Sequence, residues 1–367
     1  MSTFTVEVVK ILDVLSHPNA DRLSIAQIKG WQCVIAKDSY KAGDLVVYIP
    51  IDSVLPEEVE NRLFANSKVK LNNHRVRTIK LRGAISQGMV AGFDQLGIKP
   101  CDEGTDLASK LGIVKYEQTV QLTTRGGRPR SKKATNPNFV KYTEIENYKN
   151  YPNGFTFGEE VVVTEKIHGT NYRAGWVIAV ADTWWKKVKL YFGKLPKYEF
   201  VFGSHNVQLQ NGKPNVVSTV PYENVYARAV AAFNLKEILK PGEVIYGELY
   251  GYGIQNHYSY GCKPGEFGLV IFDLMIDGKY QDTAVLEKFC KERGFKMPPI
   301  LYRGQFNLEV IKALTVGNSV MAPTQKIREG VVIKPEKDTV TYFGRKVLKL
   351  ISDEYLLQKE DFTTEFH

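Results

Sequence analysis

The chain has 367 residues, 43% hydrophobic and 24% charged, which is ordinary globular usage and excludes wholesale disorder. At about 150 residues per domain it should hold two domains or three, enough to bury a core without staples. The formal net charge of +9 favours a polyanionic partner. No apolar stretch approaches the roughly 20 residues of a membrane span. Glu7, Lys10 and Asp13 interrupt the first apolar run, where a signal peptide would need its core. A soluble, cytoplasmic or otherwise intracellular protein of cellular or viral origin is expected, with a monomer as the default.

Cys33, Cys101, Cys262 and Cys290 form no CxxC pair, so buried free thiols are expected rather than a zinc site. HExxH, GxxxxGK[ST] and GxSxG are all absent. That sets aside zincins, P-loop NTPases and α/β-hydrolases.

Along the chain, Phe4–Leu15, Leu23–Ile28, Gln32–Ala36 and Leu45–Ile49 read as strands, separated by His17-Pro18-Asn19, Lys29-Gly30 and Ala42-Gly43-Asp44. Strands at this spacing predict a small barrel or sandwich. Lys68, Lys70, Arg75, Arg77, Lys80 and Arg82 then fall within fifteen residues that hold no acid. Such a run is usually a solvated face. From Glu117 to Asn138 the composition is that of a linker, with the basic run Arg125–Lys133 at its centre. Basic density peaks here: residues 101–150 carry +3, the same excess as the first 100 residues.

Beyond Phe139, helical periodicity over Glu223–Leu239 and Ala284–Gly294 mixes irregularly with strands at Val161–Thr164, Val244–Leu249, Gly268–Ile276, Gly330–Lys334 and Val347–Ile351. This predicts an α+β domain. The expected division is residues 1–112, a basic linker 113–138, and a second domain 139–367.

Five strand-edge segments of the second domain each set an ionisable residue beside apolar ones: Thr164–Asn171, Tyr246–Gly251, Gly268–Asp273, Glu329–Pro335 and Val347–Ser352. Singly, each is weak, since a lysine at a strand end usually just reaches water. In this order they resemble the motifs of the covalent nucleotidyltransferases: DNA ligases, RNA ligases and capping enzymes. Lys166-Ile167-His168-Gly169-Thr170-Asn171 and the upstream Lys141–Asn147 are similar to RNA ligases in particular. In the first domain, His17–Leu23, Ala42–Asp44 and Leu81–Met89 resemble the OB-fold tRNA-binding module of synthetases and their accessory proteins. An OB module ahead of the transferase domain, with only 18 residues after Lys349, resembles the Naegleria-type RNA ligases.

The resemblance implies an N-terminal OB-fold β-barrel followed by a nucleotidyltransferase (adenylation) domain of antiparallel sheets and helices. It implies an ATP-dependent RNA ligase that joins 3′-hydroxyl and 5′-phosphate RNA ends through lysyl-AMP and RNA-adenylate intermediates, with Mg²⁺ or Mn²⁺. Lys166 would be the nucleophile that carries AMP. Lys334 and Lys349 would bind the α-phosphate and, by crowding Lys166 with positive charge, favour its neutral amine. Glu329 would hold the metal, Glu248 the ribose, and Phe272 would stack on adenine. Glu165, His168 and Asn171 would contact the nucleotide or organise the nucleophile's loop. Without the motif, Phe272 would read as core and Glu329 as a surface carboxylate beside Arg328 or Lys326.

Strand parity puts Lys349 and Ile351 on one face and Lys346 on the other. It also requires Glu329 to sit at an entry bend beside Gly330 if it is to share a pocket with Lys334. Joined to a ligase domain, the basic run of the barrel becomes a candidate RNA-backbone site through Arg75, Arg77, Lys80 and Arg82. His205 or Arg173 could replace the arginine many RNA ligases use to contact phosphate. The lysine-rich stretch Thr183–Tyr198, with Trp184 and Trp185, is an exposed hairpin insertion or an RNA-stacking loop. The alternatives are a DNA ligase, a capping guanylyltransferase, or a non-catalytic tRNA- or RNA-binding protein. The last leaves five ordered motifs unexplained.

Overall fold

The computed structural model describes residues 4–65, 70–116, 136–180, 184, 188, 191–193, 197–209, 225–255 and 258–358. The chain forms two compact units: Met1–Thr119 with Ile145–Thr156 and Leu348–His367, and Val120–Glu144 with Phe157–Val347.

In the first unit the strands Glu7–Lys10, Leu45–Ile49 and Met89–Ala91 pair antiparallel, as do Asp13–Ser16, Leu23–Ile28 and Trp31–Ala36. The uninterrupted apolar run Val46–Ile49 is buried on both faces, which suits a strand at the centre of a small barrel. Val6, Val8, Val47, Ile49, Val76, Ala91, Leu107 and Ile113 share its core. The expected single strand Phe4–Leu15 is two, because Ile11 and Leu12 turn aside to bond Asp44 and Gln27.

The linear division misses two segments of this unit. The Gly30 amide donates to the Lys149 carbonyl at 2.8 Å, and the Trp31 indole donates to Asn150 at 2.7 Å. The Lys149 ammonium reaches Gln87 at 2.8 Å, and Gln87 in turn donates to Asp353 at 2.8 Å. These bonds fasten 145–156 and 348–358 to the barrel, so both leave the domain that the sequence assigns them to. The linker is also shorter at its ends. Val114–Lys115 pairs with Ser53–Val54, and Asn136 is bonded to Gln208, Ile178 and Glu199. The basic run Arg125–Lys133 lies outside the described residues.

The second unit is built on a six-stranded antiparallel sheet in the order Gln208–Leu209, Tyr198–Gly203, Thr170–Ile178, Glu243–Gly251, Phe267–Ile276, Lys279–Tyr280. One face buries Tyr172, Ala174, Ile245, Leu249, Leu269, Ile271 and Leu274 under the helices Val225–Ala232, Leu235–Ile238 and Thr283–Arg293. The last helix presents Leu286, Phe289 and Cys290 at helical spacing and stops at Gly294, whose φ of 72° is a left-handed cap. The helix expected over Glu223–Leu239 breaks at Asn234, which takes a left-handed φ of 49°, a conformation that asparagine tolerates. A second group of strands, Ile300–Gln305, Glu160–Lys166 and Gly330–Pro335, pairs antiparallel. Among the described residues, no helix is long and apolar enough to cross a membrane.

Candidate active site

The strand Glu160–Lys166 holds the nucleophile candidate at its last position. Val161, Val162 and Val163 are buried, so the strand is gripped on both faces and delivers Lys166 from a rigid base. Directly across from Lys166 is Gly330, the first residue of the neighbouring strand. Glu329, the residue just ahead of it, is fully buried, and its carboxylate lies 2.7 Å from the ammonium of Lys166, whose side chain is 12% exposed. His168 completes the cluster, with Nδ1 3.3 Å from the other Glu329 oxygen. Burial opposes ionisation of Glu329, but Lys166 and then His168 outweigh it and hold the carboxyl down to about 2.

After Lys166 the chain turns through Ile167-His168-Gly169 into Thr170–Ile178. A Cβ on Gly169 would sit 2.2 Å from the Leu249 carbonyl oxygen, so only glycine lets the loop cross that strand. Asn171 pairs with Glu248 in the antiparallel register, which sets both side chains on one sheet face. Burial raises the Glu248 carboxyl to about 8, with Lys166 opposing and Glu329 assisting the shift. Glu165, on the opposite parity from Lys166, accepts the Val320 and Met321 amides through Oε2 at 2.8 and 3.3 Å. Its Oε1 and the Asn171 Oδ1 are buried acceptors with no donor among the described residues.

Phe272 and Asp273 owe their placement to a β-bulge. Tyr246 pairs with Asp273 but the next residue, Gly247, pairs with Ile271, so Phe272 is the extra residue. The bulge reverses parity: Leu269 and Ile271 face the helices, and after it Leu274 does. Phe272 is half-buried with its ring edge-on to Tyr142, centroids 4.9 Å apart. Asp273 Oδ2 accepts from Lys334 at 2.8 Å, Arg345 at 2.6 Å and the Tyr142 hydroxyl at 2.7 Å. Burial alone would raise Asp273, but Lys334 and Arg345 keep its carboxyl below the usual range. Lys334 also donates to the Phe272 carbonyl at 2.6 Å, and burial lowers its ammonium against the pull of Asp273.

Lys334 lies across from Val162, four residues along the strand from Lys166, or ~13 Å at strand rise. Its ammonium is held by Asp273 at 2.8 Å, and Lys166 is paired with the Glu329 carboxylate. Lys349 falls in the first unit, buried in the strand Leu348–Ile351 opposite Asn147. Lys346 is paired with Glu159 at 2.7 Å.

Two basic residues are removed from the expected RNA contacts. Arg75 is 3% exposed, pairs with Asp52 at 2.5 Å and lies 3.8 Å over the Tyr116 ring. A buried, neutralised guanidinium offers nothing to a phosphate. Arg173 is likewise buried, donating to the Phe139 and Ser204 carbonyls. Arg77 is half-buried and donates to the Gln358 carbonyl at 3.1 Å, while Lys70, Lys80 and Arg82 are exposed. His205 lies 3.1 Å from Glu144, so any positive charge it gains is already matched. Trp184 is exposed, and Trp185 lies outside the described residues.

The sequence reading left Asp273, Arg345 and Tyr260 unassigned. For Asp273 a signal existed: an acid closing an apolar strand is buried, and a buried acid needs partners. Nothing local marks Arg345 or Tyr260, whose contacts come from segments distant in the chain.

Residues 159–351, more than half of the chain, match the model of the family described as RNA ligase. The chain belongs to the RNA ligase family. Residues 5–93 match an OB-fold domain model. Among solved structures, the fold is similar to Naegleria gruberi RNA ligase in a lysine mutant with ATP and Mn, at TM-score 0.74 and 22% identity over 95% of this chain and 97% of that one. It is equally similar to the same protein with PPi, at TM-score 0.72 and 23% identity over the same shares. Part of the chain is similar to the phenylalanine–tRNA ligase β subunit of Halalkalibacterium halodurans, 29% identical over 94 residues. It is also similar to that of Prochlorococcus marinus, 24% identical over 108 residues. The matches span only 10% and 11% of those subunits' own lengths. The expected α+β architecture, OB fold first and ligase domain second, is the one found.

Proposed function

We propose that the protein is an ATP-dependent RNA ligase that activates itself on Lys166. The observation that carries this reading is the Lys166–Glu329 pair at 2.7 Å, with His168 behind it, at the end of a strand buried on both faces. A primary amine held this way can be aimed at a phosphorus with little reorganisation, and positioning supplies much of the rate in phosphoryl transfer. Lys166 Nζ would bond to the α-phosphorus as the bond to pyrophosphate breaks, and the amine proton would leave to solvent. AMP would then pass to the 5′-phosphate of an RNA end, and a 3′-hydroxyl would displace it.

The residues fit such a nucleotide. Glu165 Oε1 and Asn171 Oδ1 are two buried acceptors awaiting donors, which the adenine amino group and ribose hydroxyls provide. Glu248, beside Asn171, would bind the ribose, and the half-buried Phe272 would stack on the base. The role of Lys349 rests on its motif alone.

The residues also fit a divalent cation. Among the described residues no cluster of three or more His, Cys, Asp or Glu side chains could cage one. One buried carboxylate, Glu329, suits Mg²⁺ or Mn²⁺ completed by water and substrate phosphate. A cation there would offset the carboxylate charge that now favours the Lys166 ammonium, and would neutralise charge on the phosphates.

RNA would be held at its backbone by the exposed Lys80 and Arg82 on the hairpin Ile79–Leu81/Ala84–Ser86, whose first strand is exposed, with Lys70 nearby in sequence. The test is incubation with Mg²⁺ and α-labelled ATP or GTP, followed by denaturation. ATP alone should label the protein, Lys166→Ala should abolish the label, and the labelled enzyme should seal 5′-phosphate to 3′-hydroxyl RNA. A GTP adduct would point to capping chemistry. No adduct from either nucleotide would refute the proposal.

A further inference from the structure

The loop that follows the nucleophile is clamped from outside by a segment to which no role attaches in the ligase motifs. The Gln255 amide donates to the Gly169 carbonyl at 2.8 Å. The His168 backbone amide donates to the Tyr260 hydroxyl at 2.8 Å, and the His168 ring lies edge-on to Tyr258 with centroids 4.7 Å apart. Both tyrosines are buried. Thus one residue, His168, is fixed at its amide by Tyr260 and touches Glu329 with its imidazole, and Glu329 holds Lys166.

The backbone at Tyr260 is unusual for a tyrosine. The Ser259 carbonyl accepts the Cys262 amide at 3.0 Å, closing a four-residue turn with φ of 49° at Tyr260 and 79° at Gly261. Positive φ at both central residues is the pattern of a type I′ turn, whose first central position favours Asn, Asp or Gly. An aromatic residue there is disfavoured locally and persists where the surroundings require it. The surroundings that require it include the His168 amide, which the phenol oxygen satisfies.

We propose that Tyr260 is a positioning residue for lysine adenylylation, holding the Ile167-His168-Gly169 loop so that His168 and Glu329 align Lys166. The inference rests on the ligase reading above. Tyr260→Phe keeps the ring in the turn and removes only the oxygen. Protection of the His168 amide from hydrogen exchange should fall about tenfold, the loss of one ordinary hydrogen bond. At saturating ATP, single-turnover formation of the lysyl adduct should slow by about tenfold, with KM for ATP unchanged and the melting temperature lowered by only a few degrees. Sealing of pre-adenylylated RNA, which bypasses attack by Lys166, should change less than twofold.

Adduct formation at the wild-type rate, or an equal loss in the bypass reaction, would overturn the positioning role. Unchanged exchange at His168 would overturn the clamp itself. Should the wild type form no adduct while Tyr260→Phe still loosens the His168 amide, the clamp stands and the ligase reading fails.

Discussion

Glu329→Gln isolates the one carboxylate on which the site is organised. The native side chain is fully buried, with Lys166 at 2.7 Å and His168 at 3.3 Å. A carboxyl held down to about 2 from an ordinary 4.5 is tied to its ionised form by ~3 kcal/mol. Because the folded value is the lower one, this stability is present in full above pH 4.5 and is lost as pH falls toward 2. At pH 7 the variant should therefore be less stable than wild type by ~3 kcal/mol, less whatever Lys166 recovers by shedding its proton. At pH 3 linkage leaves only ~1.4 kcal/mol of the gap. Urea unfolding of both proteins at pH 7, 5, 4 and 3 measures this, and Lys166→Met in a double-mutant cycle assigns the part belonging to the pair. Adduct formation by Glu329→Gln should fall by at least a hundredfold, since amide oxygen is a poor substitute for a charged metal ligand. A gap that stays constant with pH, or no gap at all, would refute the reading of Glu329 as an ionised partner of Lys166.

Three further outcomes concern other groups of the site and of the barrel. Glu248 titrates in the opposite sense: with its carboxyl raised to about 8, the folded state keeps a proton that the unfolded chain gives up above pH 4.5. Glu248→Gln should melt above wild type, by a margin that grows from pH 4.5 to 8 and is then flat; a scanning calorimetry series that finds no such growth rejects the shift. In the barrel, Arg75→Ala should cost about 3–5 kcal/mol of stability by orphaning buried Asp52. Lys80→Ala and Arg82→Ala should leave stability intact and each lower the salt dependence of binding to single-stranded RNA by about 0.7 in slope, readable by fluorescence anisotropy. The reverse assignment, binding loss from Arg75 with unchanged unfolding, would restore it to the RNA surface.

Much of this was legible in the sequence because period and punctuation are local. Leu23–Ile28 and Leu45–Ile49 have the bounds that their apolar runs and flanking turns imply. The candidate site was legible for a different reason: short segments resemble ligase motifs, and among their residues the fold brings Lys166, His168 and Glu329 together. What could not be read is partnership across distance. Whether Arg75 faces water or Asp52 depends on a barrel strand and on Tyr116, and no composition count separates it from Lys80 five residues on. The strand Thr170–Ile178 was missed for a related cause. Its residues 171–174 do alternate polar and apolar, but the polar side is not a solvated one, since Arg173 is buried and donates to the Phe139 and Ser204 carbonyls.

The bulge at Phe272 is where these two kinds of information meet. A regular strand from Leu269 to Leu274 would alternate strictly, so Leu269, Ile271 and position 273 would face the helices and Leu274 would not. That arrangement would drive a carboxylate into the apolar layer around Leu286 and Phe289. One extra residue resolves the conflict. Asp273 turns to the opposite face, where Lys334, Arg345 and Tyr142 meet it, and Leu274 takes its place against the helices. The residue left over is Phe272, unpaired in the ladder with its ring half-buried. The same insertion that makes a buried acid tolerable thus frees an aromatic ring from the core. The ring so freed lies outside the helix-covered layer and packs edge-on against Tyr142, the residue whose hydroxyl also meets Asp273.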